Sequence, residues 1–456
     1  MKIELLLCFL FFVYKAYPQP LSKEQTLYDL EFLIENIETY NPALDQYTPD
    51  FRQKAQALLT TIPDSVSLLE YFALVSQVAA LSNEGHFLLG QATDTIHKGF
   101  INNTYSHLPL SVYVIDNKIY VRENYGEDSL LQPLSQILSI NGHSAPKILE
   151  QFYWHIPSDG YIQSSLEVKA SQAFSWKYYL YIEQPQQFEI QFLPPNTQDT
   201  MSISCSALTR AEQVAIFQQK KKKTASTPSP PSIKDFYELS IQEHYALLTL
   251  KSFSRKLVLD ALKLQPKKIY KHIFKELQAA QVKHLIVDLR GHTGGRSEFA
   301  KELVPFITKV SIKEEREQSI SWKGKIKTYQ LPPQHTLAFK GQLYGLVDGQ
   351  TFSSGAVVAR YLKEYGNAIM LGEETATRYE GFVAGSYEYI YLPHTHIRLG
   401  ISRYHQQFPL SQKQTTSNRG LIPDILVYNS IKDIQKGYDR VLAQVIALIE
   451  KASNNN

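Results

Sequence analysis

From Tyr245 onward the chain alternates short apolar runs with longer amphipathic ones, and no other feature limits its fold as much. YALLTL is followed by a helical run through IYKHIFKELQAAQ, HLIVDL by one through EFAKELVPFI, and LYGLVDG by one through GAVVARYLKEY, before AIMLGEE. Strands that are apolar throughout, separated by helices, predict an α/β layer whose mostly parallel sheet is covered on both faces. Sheets of this kind hold their sites at the end where the strands run into the following helices.

The remainder of the 456 residues is too long for one core and divides by pattern. Apolar positions in LYDLEFLIENIETY and LLEYFALVSQVAALS recur at helical spacing, so an N-terminal helical domain is expected over 18–100. LPLSVYVI, KIYVREN and FEIQFL alternate with period two, predicting a β-rich domain with at least one helix over 101–205. The run 218-QQKKKKTASTPSPPSIK is too polar to pack and marks a linker over 206–236. The α/β core is expected over 237–430, and KGYDRVLAQVIALIEK gives a closing helix within 431–456.

The first residues, MKIELLLCFLFFVYKAYPQP, read as an export signal over 1–17, with a lysine, an apolar run and the small Ala16 before a polar segment. The run from Leu5 to Val13 falls well short of the roughly 20 apolar residues that a membrane-spanning helix needs. A periplasmic, cell-envelope or extracellular location is the expectation. Beyond that signal a single cysteine, Cys205, is left, so the mature chain holds no internal disulfide. Lys and Arg number 47 against 44 Asp and Glu, a formal charge of +3, which offers no field to gather nucleic acid.

Two stretches carry chemistry. In 285-LIVDLRGHTGGRSEF an apolar strand ends in a loop where Gly291, Gly294 and Gly295 let backbone amides approach a reacting group. It lacks the spacing of a phosphate-binding loop. In 348-DGQTFSSGAVVARYLKEYGNAIMLGEETATR the end of a strand leads to Ser353 and Ser354 at the mouth of a helix. Serines there are ordinarily N-caps, yet two of them allow one cap and one nucleophile. The GxSxG elbow of α/β-hydrolases is absent.

Taken together, VDLRGHTGG, TFSSG, YGNAIMLGEET and RGLIPDILV, with SINGHS and SNEGHFLLG before them, resemble the motifs of the C-terminal processing, or tail-specific, serine peptidases over nearly the whole mature chain. The resemblance implies a PDZ-like domain over the β-rich stretch and a core of the ClpP/crotonase type. It also implies hydrolysis of peptide bonds in a polypeptide substrate through an acyl-enzyme, with no cofactor. It carries the catalytic serine onto Ser353 and makes the Ser354 amide one oxyanion donor, with Thr293 or Gly294 supplying the second.

Many members place a lysine base where this chain has Arg378, which stays protonated and cannot accept a proton. The branch resembling the tricorn core protease and the retinoid-binding-protein homologues uses a histidine from the helical domain instead, and that position matches His86. A glutamate expected before the GLIPD segment is missing, Ser417 standing nearest, so Glu84, Glu373 and Glu380 are the candidates to orient His86. His292 in the glycine loop is expected to shape that loop. His394, His396 and His405 have no matching set of metal ligands. The alternative function is a homologue that has lost catalysis and binds a peptide or apolar ligand on the same scaffold.

Overall fold

Three larger sheets and three large apolar clusters organise the described residues, seen here in a computed structural model that describes residues 20–90, 105–126, 128–220, 230–312, 316–411 and 413–454. The expected signal segment 1–17 and the lysine-rich part of the linker from Lys221 lie outside the described residues. Among those described, no helix is long and apolar enough to cross a membrane.

The core sheet runs in the order Tyr237–Ile241, Ala246–Leu250, His284–Asp288, Gln342–Val347, Ile369–Gly372, Ile425–Leu426. Only the first pair is antiparallel; the others are parallel, as the apolar runs predict. Period-two geometry explains why those strands are apolar throughout. Leu285 and Val287 face the helices Pro266–Ala279, Ser297–Ile307 and Ser354–Glu364, while Ile286, with Tyr344 and Leu346, meets Val441, Val445 and Ile449. The closing helix Arg440–Asn454 is therefore the second cover of the sheet.

The helical region is built on Lys23–Tyr40, Phe51–Leu59 and Leu68–Leu81, the first and last begun by capping boxes from Ser22 to Gln25 and Ser67 to Glu70. Its apolar cluster also contains Ile390, Leu392, Ile397, Leu399 and Ile401. These belong to a long antiparallel hairpin, Gly381–Tyr391 and Arg398–Gln407, which leaves the core next to Arg378 and drives its tip into the helices. Leu88–Leu89, just after His86, pairs with the same hairpin. The sequence pattern gave no sign of this crossing, because both partners read as ordinary amphipathic segments.

The β-rich unit is an antiparallel sheet in the order Met201–Ser206, Gln187–Leu193, Gln136–Ile140, Lys118–Asn124, Leu110–Ile115. Three helices cover it, Ala145–His155, Gln163–Ser171 and Phe174–Tyr181, where the sequence predicts at least one. The stretch after it is more ordered than a linker. Leu208–Thr209 pairs with Ser106–His107, and Arg210–Lys220 is helical, its first turn fixed by Thr209 and Glu212.

Candidate active site

At the end of the strand Gln342–Val347 the chain turns sharply, and its side chains fasten the turn to the neighbouring strand end. The Thr351 hydroxyl donates to the Leu289 carbonyl at 2.9 Å, and the Phe352 N–H donates to the His292 carbonyl at 3.0 Å. Ser353 then adopts φ 54° and ψ −128°, a conformation that non-glycine residues rarely hold without surrounding constraint. Its N–H donates to Thr377 Oγ1 at 2.7 Å, and its hydroxyl makes no cap to the helix that follows. Ser353 is partly exposed, whereas Ser354 is 2% exposed with an unpartnered hydroxyl. The capping reading fails for both serines. Ser354 instead contributes a first-turn N–H, which has no partner within its helix.

The glycine loop lies directly against this turn. A Cβ on Gly294, whose φ is +100°, would sit 2.7 Å from Ser353 Cβ, and one on Gly355 would sit 2.5 Å from His292 Nδ1. Only glycine allows either approach. His292 is buried, and its Nδ1 accepts the Gly294 N–H at 3.1 Å, which leaves the ring proton on Nε2. It braces the loop, and burial lowers its pKa to about 4. Of the two amides considered as second oxyanion donors, that of Gly294 is engaged with His292, and Thr293 is exposed.

His86 lies beside the serine turn, stacked on Phe352 at 4.3 Å and on Phe382 at 5.3 Å between ring centroids. Both its ring nitrogens are shielded from solvent and neither is hydrogen-bonded, so no bond joins it to Ser353 in this state. Burial lowers its pKa to about 4, with Asp159 acting against that shift and Lys169 and Arg378 reinforcing it. The imidazole is therefore neutral at pH 7, the form that can accept a proton.

None of the three glutamates considered for orienting His86 is hydrogen-bonded to its ring. Glu84 pairs with Arg378 at 3.2 Å and accepts from the Val383 N–H at 3.4 Å. Burial pushes its carboxyl up to about 8 against the pull of Arg378. Glu380 accepts from the Asn418 N–H at 2.7 Å, while Glu373 accepts from Gly349 N–H at 3.4 Å in a groove of about 780 Å³ on the side of the β-rich unit. Burial pushes Glu373 up to about 7.

A further carboxylate reaches the His86 loop from outside it, that of Asp159, in an SDG run that reads only as a turn. It is 0% exposed and accepts from Gly85 N–H at 2.6 Å and Arg378 N–H at 3.3 Å.

Arg378 is buried with its guanidinium 3.9 Å from the centroid of the Tyr47 ring and a further bond to the Asn83 carbonyl. Tyr47 in turn contacts His405 Nε2 at 2.8 Å, and His394 Nδ1 contacts Asp29 at 2.8 Å. Among the described residues no group of three or more His, Cys, Asp or Glu is placed to hold a metal ion.

Residues 244–427 match the family described as peptidase family S41. The whole fold is similar to that of mature CPAF complexed with lactacystin, with a TM-score of 0.64 at 14% identity over 95% of this chain and 99% of that one. Mature CPAF alone gives 0.63 at 14% over 95% and 98%. No curated protein sequence matches the chain. Strand order, the glycine loop against a strand-to-helix serine turn and the match over 244–427 agree: residues 244–427 of this chain form an α/β domain that matches peptidase family S41.

Proposed function

We propose that this protein is an exported endopeptidase of the tail-specific type, with Ser353 as nucleophile and His86 as its base. Ser353 Oγ attacks the carbonyl carbon of a peptide bond while His86 takes the hydroxyl proton and later returns it to the leaving amine; water then hydrolyses the acyl-enzyme. The Ser354 N–H and an amide of Thr293 or Gly294 hold the oxyanion. The β-rich unit serves as the PDZ-like part, and the apolar run from Leu5 to Val13 supports export. The observation that carries this reading is the backbone of Ser353, held at φ 54° with its hydroxyl uncommitted and Gly294 packed against its Cβ.

A non-catalytic reading draws on the unbonded His86 and the engaged Gly294 amide. Labelling by a fluorophosphonate probe separates the two. Labelling of the wild type that disappears in Ser353→Ala supports the peptidase, and an unlabelled wild type that still folds and binds peptide supports the alternative.

A further inference from the structure

The loop 82–86 that carries His86 is held from the core, where Arg378 binds Glu84 and the Asn83 carbonyl, and also from the β-rich unit. Gly160 N–H donates to the Asn83 carbonyl at 3.2 Å, Tyr161 N–H to the Asn418 carbonyl at 3.0 Å, and Asp159 reaches between them to the Gly85 N–H at 2.6 Å. A Cβ on Gly160 would lie 2.2 Å from the Asn418 carbonyl oxygen, and one on Gly85 would lie 3.0 Å from both Asp159 Oδ1 and Phe352 Cε2. Both glycines therefore permit a wedge: Asp159 enters a gap bounded by Gly85, Phe352 and Arg378. A buried carboxylate in such a place is costly unless its oxygens are bonded, and here each accepts one backbone N–H. The same unit also supplies a cation. Lys169 donates to the Pro157 carbonyl at 2.6 Å and stands 5.4 Å from the centroid of the Phe352 ring, on which His86 stacks.

Resting on the reading of His86 as the base, we infer that Asp159 is the positioning carboxylate of this site, fixing the His86 loop through Gly85 and supplying the negative charge that the absent glutamate leaves wanting. Asp159 acts through the backbone and through its field, since its oxygens are bonded to Gly85 and Arg378. The other charged groups around the pocket are Arg378, paired with Glu84; Lys169; and Glu380, which is bonded to Asn418 N–H. Arg378 and Lys169 disfavour a protonated His86 and Asp159 favours it. Removing Asp159 must then make His86 harder to protonate, and removing Lys169 must make it easier.

The test has two arms. The first follows hydrolysis of fluorescein-labelled casein against pH for wild type, Asp159→Asn and Lys169→Met. Asp159→Asn should lower kcat roughly tenfold or more, change KM less than about twofold, and move the acid limb to lower pH. Lys169→Met should move that limb to higher pH. A loss that is purely structural would not give shifts of opposite sign.

The second arm titrates the His86 ring by NMR, assigned through His86→Gln, and needs no activity. A His86 titration unchanged by Asp159→Asn overturns the inference. If His86→Gln keeps the wild-type rate, the base reading fails, and the NMR arm still decides whether Asp159 sets the state of His86. Should Asp159→Asn lack the wild-type circular dichroism, Asp159→Glu keeps the charge at a displaced position: reduced kcat supports the inference, and full kcat overturns it.

Discussion

Arg378 Nη1 lies 3.2 Å from Glu84 Oε1, the arginine side chain fully out of solvent and the glutamate nearly so. This pair joins the helical region to the core and explains why the position holds arginine: its guanidinium serves as a buried strut between Glu84, the Asn83 carbonyl and the Tyr47 ring. Breaking it from one side leaves a buried polar group without its partner. Arg378→Met should destabilise the fold by about 3–5 kcal/mol in urea unfolding, and adding Glu84→Gln should recover part of that loss. A double variant as unstable as the sum of its singles would refute the coupling.

The two serines should separate cleanly. Ser353→Ala is expected to lower kcat/KM by about 10³-fold or more with an unchanged unfolding midpoint. Ser354→Ala should stay within about threefold of wild type, because the amide remains and the lost hydroxyl has no partner. Active-site titration checks both, and a dead Ser354→Ala beside an active Ser353→Ala would reverse the assignment.

Gly294→Ala should abolish turnover. Its Cβ would fall 2.7 Å from that of Ser353 at a φ of +100°, so either the loop or the serine turn must move. Loss of fluorophosphonate labelling with near-native circular dichroism is the expected result, and normal labelling would show that the two loops yield independently.

The acid limb of kcat/KM should appear near pH 4 and not at the ~6.5 of a free imidazole, because burial holds His86 at about 4. His86 must be neutral to act, so activity rises as pH climbs through that value and is level above it. A limb between ~6 and 7.5, the range expected of an unperturbed histidine, would mean that the working enzyme exposes the ring.

Stability has its own pH dependence. Burial lowers His107, His155, His292 and His405 to about 4, so each is neutral in the fold and takes up a proton on unfolding. Their contribution is present above ~6.5 and lost as pH falls towards 4, at up to roughly 1.4 kcal/mol per pH unit for each. Glu84 and Glu373, raised to about 8 and about 7, act in the opposite sense but are fewer. Urea midpoints should therefore fall steadily between pH 6.5 and 4, and a flat profile would contradict the burial of these rings.

The core was legible in the sequence because periodicity is local: strands buried on both faces must be apolar throughout, and Ser353 falls where such a strand gives way to a helix. The resemblance supplied His86, and the structure brings it beside Phe352. What stayed hidden depends on residues far apart in the chain. Asp159 meets Gly85 across 74 positions, and Arg378 meets Glu84 across 294, so neither side chain carried a local mark of its partner. The hairpin tip around Ile390 and Ile397 was unreadable for the same reason, since apolar alternation says that a strand is half-buried and not against what.

That hairpin limits how the site can work. Its first strand begins beside Arg378 and brings Phe382 onto the His86 ring; its second strand pairs with Leu88–Leu89, a few residues past His86, and its tip is sunk among the helices. The helical region is thus stitched to the core on both sides of the base and cannot swing away as a hinged lobe without tearing strand pairing and an apolar cluster together. Any step that brings His86 Nε2 or Nδ1 to Ser353 must be small, a turn of the ring out from between Phe352 and Phe382 within a fixed frame.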